Sequence, residues 1–94
     1  MRGYRDRGMY LDTRPERGKT MKIQVWTKQS RQFMKRASRR LIERGYGSDL
    51  ASQLLQGQVD GERVRFEGLS LAQFNAVEDT AAWMGLQYDG RQDA

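Results

Sequence analysis

Ninety-four residues suit one small domain, and a formal net charge of +5 with 31% charged side chains makes its surface the first thing to explain. The chain has no cysteine and no histidine, which excludes disulfides, thiolate metal sites, the commonest zinc ligand and the commonest general base. No apolar run approaches the roughly 20 residues of a membrane helix, and the N-terminal arginines are not followed by the apolar segment of a secretory signal, so the chain reads as soluble and cytoplasmic.

The charge is unevenly spread. Residues 1–20 carry six Lys/Arg against three Asp/Glu, residues 21–46 carry eight against one, and residues 47–94 carry three against eight. The net values are +3, +7 and −5. A strongly basic front half on an acidic back half points to a polyanionic partner for the front, or to self-association front to back.

Residues 1–20, "MRGYRDRGMYLDTRPERGKT", have little apolar content, repeated Arg-Gly pairs and the only proline, Pro15. Such a composition cannot offset its ordering entropy, and predicts a flexible basic arm. Tyr4 and Tyr10 among the arginines are suited to stack on bases; the alternative expectation is a leader, or sequence upstream of a second start at Met21, which sits immediately before the first regular element. Residues 21–90 read as a single domain and 91–94 as a polar tail.

"MKIQVWT" alternates, with Ile23 and Val25 on one face and Lys22, Gln24 and Trp26 on the other, as in a half-buried strand. Thr27 then reads as the N-cap of a helix over 28–45, in which Phe33, Met34, Ala37 and Leu41 recur at helical spacing. Gly45 or Gly47 would end it in a left-handed conformation. Ser48 reads as the cap of a short second helix that turns Leu50, Leu54 and Leu55 inward and stops at Gly57. "QVDGERVRFEG" is a hairpin pattern, with Asp60-Gly61 at a two-residue type I′ turn and Val64 and Phe66 alternating with Arg63, Arg65 and Glu67.

"LSLAQFNAVEDTAAWMG" has a capping box in Ser70 and Gln73 and a hydrophobic staple in Leu69 and Phe74. Phe74, Val77, Ala81 and Met84 form its apolar stripe, and Gly85 closes it. "LQYDG" adds a last short strand. The order strand, helix, helix, hairpin, helix, short strand predicts an α+β fold, a small two-layer domain with the helices on one face of a small sheet.

The chemistry lies in the first helix. Lys28, Arg31, Lys35 and Arg39 form one strip, and Arg36 and Arg40 flank it. A solvated helix usually interleaves Glu and Lys at i, i+4, whereas here Arg31–Lys35, Lys35–Arg39 and Arg36–Arg40 repel at that spacing, each costing about 0.2–0.5 kcal/mol. A polyanion would relieve this repulsion and release its counterions on binding. Lys22 and Gln24 on the outer side of the first strand extend the set, since Lys and Gln contact phosphates and base edges. Trp26 is expected beneath a loop, and Trp83, off the apolar stripe, as a contact residue or the lid of a small second cluster.

The strand with Lys22 and Gln24 outward, followed by two helices joined through "IERGYGSDLASQLL", resembles a ribbon-helix-helix DNA-binding unit over residues 22–56. The first helix is longer than in that pattern, and the second is cut short by Gly57. The resemblance implies a homodimer whose paired strands present Lys22, Gln24 and Trp26 to the major groove. The element order is also similar to that of a KH domain, although "RGYGSD" lacks the GxxG spacing with which that family grips a single strand.

Catalysis is not expected. Ser30, Ser38, Ser48 and Ser70 have no histidine to activate them, Glu78 and Asp79 point roughly 100° apart on one helix, and Asp60 and Glu62 belong to a turn. No cofactor or metal is implied. The sequence therefore describes a small nucleic-acid-binding protein, in one version a DNA-binding regulator, that uses the basic helix 28–45. The alternative is a phage- or mobile-element-like inhibitor or adaptor whose basic helix docks on an acidic protein surface.

Overall fold

The computed structural model describes residues 20–93, so the expected arm lies outside the described residues apart from Thr20. A strand β1 (Thr20–Trp26) leads into helix α1 (Ser30–Glu43) and a short helix α2 (Ser48–Gln53) that tightens into a 3₁₀ turn (Leu54–Gln56). Strands β2 (Gln58–Asp60) and β3 (Arg63–Leu69) form a hairpin, helix α3 (Leu71–Trp83) follows, and β4 (Tyr88–Asp93) ends the domain. The sheet runs β2-β3-β1-β4, and all its neighbours are antiparallel.

The alternation in β1 holds. Ile23 and Val25 are buried, and with Val64, Phe66 and Leu69 of β3 they form the sheet side of one core. Strict alternation would turn Leu69 outward if Phe66 points in. A bulge resolves the conflict, because Met21 and Ile23 of β1 face Leu69 and Phe66 of β3, so one extra residue is accommodated in β3. Gly68 sits there at φ +69°.

The opposite layer is built from Phe33, Met34, Ala37 and Leu41 of α1, Leu54 of the 3₁₀ turn, and Phe74, Ala76, Val77 and Ala81 of α3. Leu55, expected inside, is 48% exposed. The helix tightens to 3₁₀ geometry at Leu54, so two adjacent leucines cannot both face the core.

The two long helices end alike. Tyr46 N–H donates to Leu41 O and Gly45 N–H to Ile42 O, while Leu86 N–H donates to Ala81 O and Gly85 N–H to Ala82 O. Each is a Schellman motif with glycine at the left-handed position, Gly45 at φ +91° and Gly85 at +71°. The capping box of α3 is present, with Ser70 Oγ accepting from Gln73 N–H and Ser70 N–H donating to Gln73 Oε1.

Three other expected caps differ. Thr27 does not cap α1. Its Oγ1 accepts from Gln29 N–H at 3.0 Å as a local turn, and the helix starts at Ser30 with Gln29 as N-cap. Ser48 is the first residue of α2, whose N-cap is Gly47. Gly57 follows the 3₁₀ turn in an extended conformation, and its lack of a side chain serves packing, since a Cβ there would lie 2.7 Å from Phe66 Cε1. The hairpin turn is also displaced by one residue. Asp60 pairs with Arg63, which leaves Gly61, at φ +65°, and Glu62 as the central pair.

Gln73 is 1% exposed and braces the helices together. Its Nε2 donates to Leu50 O at 3.1 Å and to Gln53 Oε1 at 2.7 Å, tying α2 to the start of α3. The last strand continues to Asp93 and pairs along β1 from Thr20↔Asp93 to Val25↔Tyr88. Gly90 lets this strand pass Phe74, whose ring would lie 2.6 Å from a Cβ at that position.

Candidate nucleic-acid interface

The two-layer build divides the sequence-derived site residues between opposite faces of the domain. Lys22 and Gln24 alternate with the buried Ile23 and Val25, so they lie on the open face of the sheet. Arg31, Lys35, Arg36 and Arg39 are exposed on the side of α1 turned away from the sheet, and Arg40 is half-buried. Lys28 is exposed in the β1–α1 connection, before the helix starts. The helix cations are brought together, and the two strand residues are not brought to them.

The open sheet face is charge-balanced. Arg63 pairs with Asp60 at 2.8 Å and Arg91 with Asp89 at 2.9 Å, and Arg65 donates to Gln58 Oε1 at 3.1 Å. Lys22 and Gln24 line a shallow depression of about 260 Å³ there, together with Arg65, Glu67, Asp89 and Arg91. β1 is hydrogen-bonded to β3 on one edge and to β4 on the other. The paired-strand ribbon of a ribbon-helix-helix dimer needs a free edge on this strand, and β1 offers none. Trp26, opposite Arg63 on the same face, is 37% exposed rather than covered by a loop.

The loop between the first two helices also differs from a phosphate grip. The N–H groups of Arg44, Gly45 and Tyr46 all donate to carbonyls at the end of α1, so three successive donors are already used.

The helical face is different in kind. α1 and α3 pack antiparallel, with Arg36 opposite Trp83 at one end and Arg44 ion-paired to Asp79 at the other. Between them lies a groove of about 450 Å³. Lys35, Arg36, Arg39 and Arg40 line its α1 wall, and Thr80 and Trp83 its α3 wall. Glu43 is the one carboxylate that lines it among the described residues. The ion pairs found among the described residues engage Arg44, Arg63 and Arg91. None engages Arg31, Lys35, Arg36, Arg39 or Arg40. Lys28 in the β1–α1 connection and Arg65 on the sheet are likewise without an ion pair among the described residues, but the cluster of five lies on one side of α1.

Trp83 is 66% exposed, and the Arg36 guanidinium carbon lies 5.2 Å from its ring centroid, within cation–π range. It is no lid over an apolar cluster. Its place off the apolar stripe of α3 was legible in the sequence, but its meeting with Arg36 depends on how α3 packs against α1. Arg40 Nε is buried in the groove wall and has no hydrogen-bond partner among the described residues.

No helix among the described residues is long and apolar enough to cross a membrane. Compared with known protein families, curated proteins and solved structures, the chain matches none.

Proposed function

We propose that this chain is a small nucleic-acid-binding protein that lays the outer side of α1 along a phosphate backbone, with no catalytic step. The observation that supports this reading is the run of five cations, Arg31, Lys35, Arg36, Arg39 and Arg40, without an ion-pair partner among the described residues, while Arg44, Arg63 and Arg91 each have one. Side chains spaced four apart on this face raise the energy of the helix that carries them. Phosphates accept that charge, and the counterions they release supply the binding free energy.

The rival reading is an inhibitor or adaptor that docks this surface on an acidic protein. Trp and Arg are the residue types that dominate protein-interface hot spots, and Trp83 and the α1 arginines supply both. Salt dependence separates the two. Fluorescence anisotropy of labelled DNA and RNA, single- and double-stranded, is measured against the full chain between 50 and 200 mM salt, about a fourfold range. If five phosphates are contacted, log K falls with log salt at a slope of about −3.5 on single strands and about −4.5 on duplex DNA. Lys35→Glu with Arg39→Glu removes most of the binding and flattens the slope. No binding at the lowest salt would refute the nucleic-acid reading and leave the acidic protein surface.

A further inference from the structure

The groove between α1 and α3 joins a track of cations to an exposed aromatic face, and these answer different parts of a nucleic acid. We infer that it selects single-stranded over duplex nucleic acid, with Trp83 as the stacking platform for one unpaired base. This inference rests on the reading above and names the form of polymer the site takes.

Indole is the largest side chain available to bury, and a small domain that leaves one 66% exposed at the end of α3 forgoes that burial. The Arg36 guanidinium lies over the ring at 5.2 Å. Trp83 shares the groove with Lys35, Arg36, Arg39 and Arg40. Phosphates that follow these four side chains would carry their bases past the ring. A groove of about 450 Å³ also falls in the ordinary range of sites that take a small ligand.

Duplexes cannot use such a platform. Their bases are stacked on one another and show only edges in the grooves. Single strands have unpaired bases with free π-faces, which stack on aromatic side chains with little regard to sequence. Arg40 adds affinity for a phosphate of either form. Its Nε is buried without a hydrogen-bond partner among the described residues, a state that costs free energy, and swinging the guanidinium out to a phosphate removes that cost. The five cations provide affinity for either form, and Trp83 distinguishes them.

The test uses the full chain with labelled 12-nucleotide oligo(dT) and oligo(U) and a 12-base-pair DNA duplex, by anisotropy at low salt. Wild type prefers one or both single strands to the duplex. Trp83→Ala lowers the ratio of single-strand to duplex affinity by about 5- to 150-fold, the range measured for loss of one stacking partner, and Trp83→Phe restores most of it. Far-UV circular dichroism and urea midpoints establish that both variants are folded. An unchanged ratio in Trp83→Ala would overturn the stacking role. If Lys35→Glu with Arg39→Glu still abolished binding in that case, the nucleic-acid reading would stand alone. If wild type bound neither form, both would fall.

Discussion

Replacing Gln73 separates two roles that the sequence motif alone merges. As N3 of the capping box, the side chain need only accept from Ser70 N–H, and Glu serves that purpose as well as Gln. The structure adds two donated bonds, to Leu50 O and to Gln53 Oε1, from a side chain 1% exposed. Gln73→Ala leaves Ser70 N–H and Leu50 O without partners, while the exposed Gln53 rehydrates. At about 1–3 kcal/mol for each unsatisfied group, tempered by partial water access, the loss is about 2–4 kcal/mol. A domain of this size has about 4–11 kcal/mol in total, so the melting temperature falls by about 10–25 °C. Gln73→Glu keeps the cap but sets an anionic acceptor against Leu50 O in a buried place, and costs at least as much, about 3 kcal/mol or more. Urea unfolding followed by far-UV circular dichroism measures both. Glu within about 0.5 kcal/mol of wild type, the range of an inert surface change, would refute the brace and reduce Gln73 to a helix cap.

Further expectations concern glycines and charges. Gly57→Ala costs about 1–3 kcal/mol of stability by overpacking against Phe66 and Val64, although its extended backbone accepts any residue. Gly45→Ala costs about 1–2 kcal/mol for the opposite reason, since its surroundings are open but its φ is +91°; equal urea midpoints for wild type and either variant would contradict these assignments. A double-mutant cycle on Arg44 and Asp79, both more than one-third exposed, yields less than about 1 kcal/mol of coupling. Arg39→Ala reduces the salt slope of nucleic-acid binding by about 0.7–0.9, whereas Arg65→Ala, a cation of the open sheet face, leaves it unchanged. A comparable loss from Arg65→Ala would move the interface to the open sheet.

Much of the domain is written locally. The period-two pattern in β1, the helical spacing of Phe33, Ala37 and Leu41, the Ser70–Gln73 box and the glycines after each long helix depend on near neighbours along the chain, and the structure reproduces them. The concentration of cations on α1 is equally a matter of sequence, because a helix fixes which side chains share a face. What failed at short range failed by a residue or two: the caps at Thr27 and Ser48, the turn at Asp60-Gly61, and the inward placing of Leu55. Their alternatives differ locally by about 1 kcal/mol or less, and packing of the completed core decides among them.

Sheet order and the division of the site belong to the tertiary structure. Nothing near β1 says that β3 and β4 will occupy both its edges, and that pairing removes the free edge a strand-mediated dimer would need. Nothing in the spacing of Lys22 and Gln24 says that they will lie one layer away from Arg31 and Lys35. Trp83 meets Arg36 only because α3 packs antiparallel to α1, bringing together residues 47 positions apart. Charge and periodicity are properties of a segment, and the sequence alone determined them. Which surfaces face each other follows from long-range burial of the one core, and only the folded chain decides it.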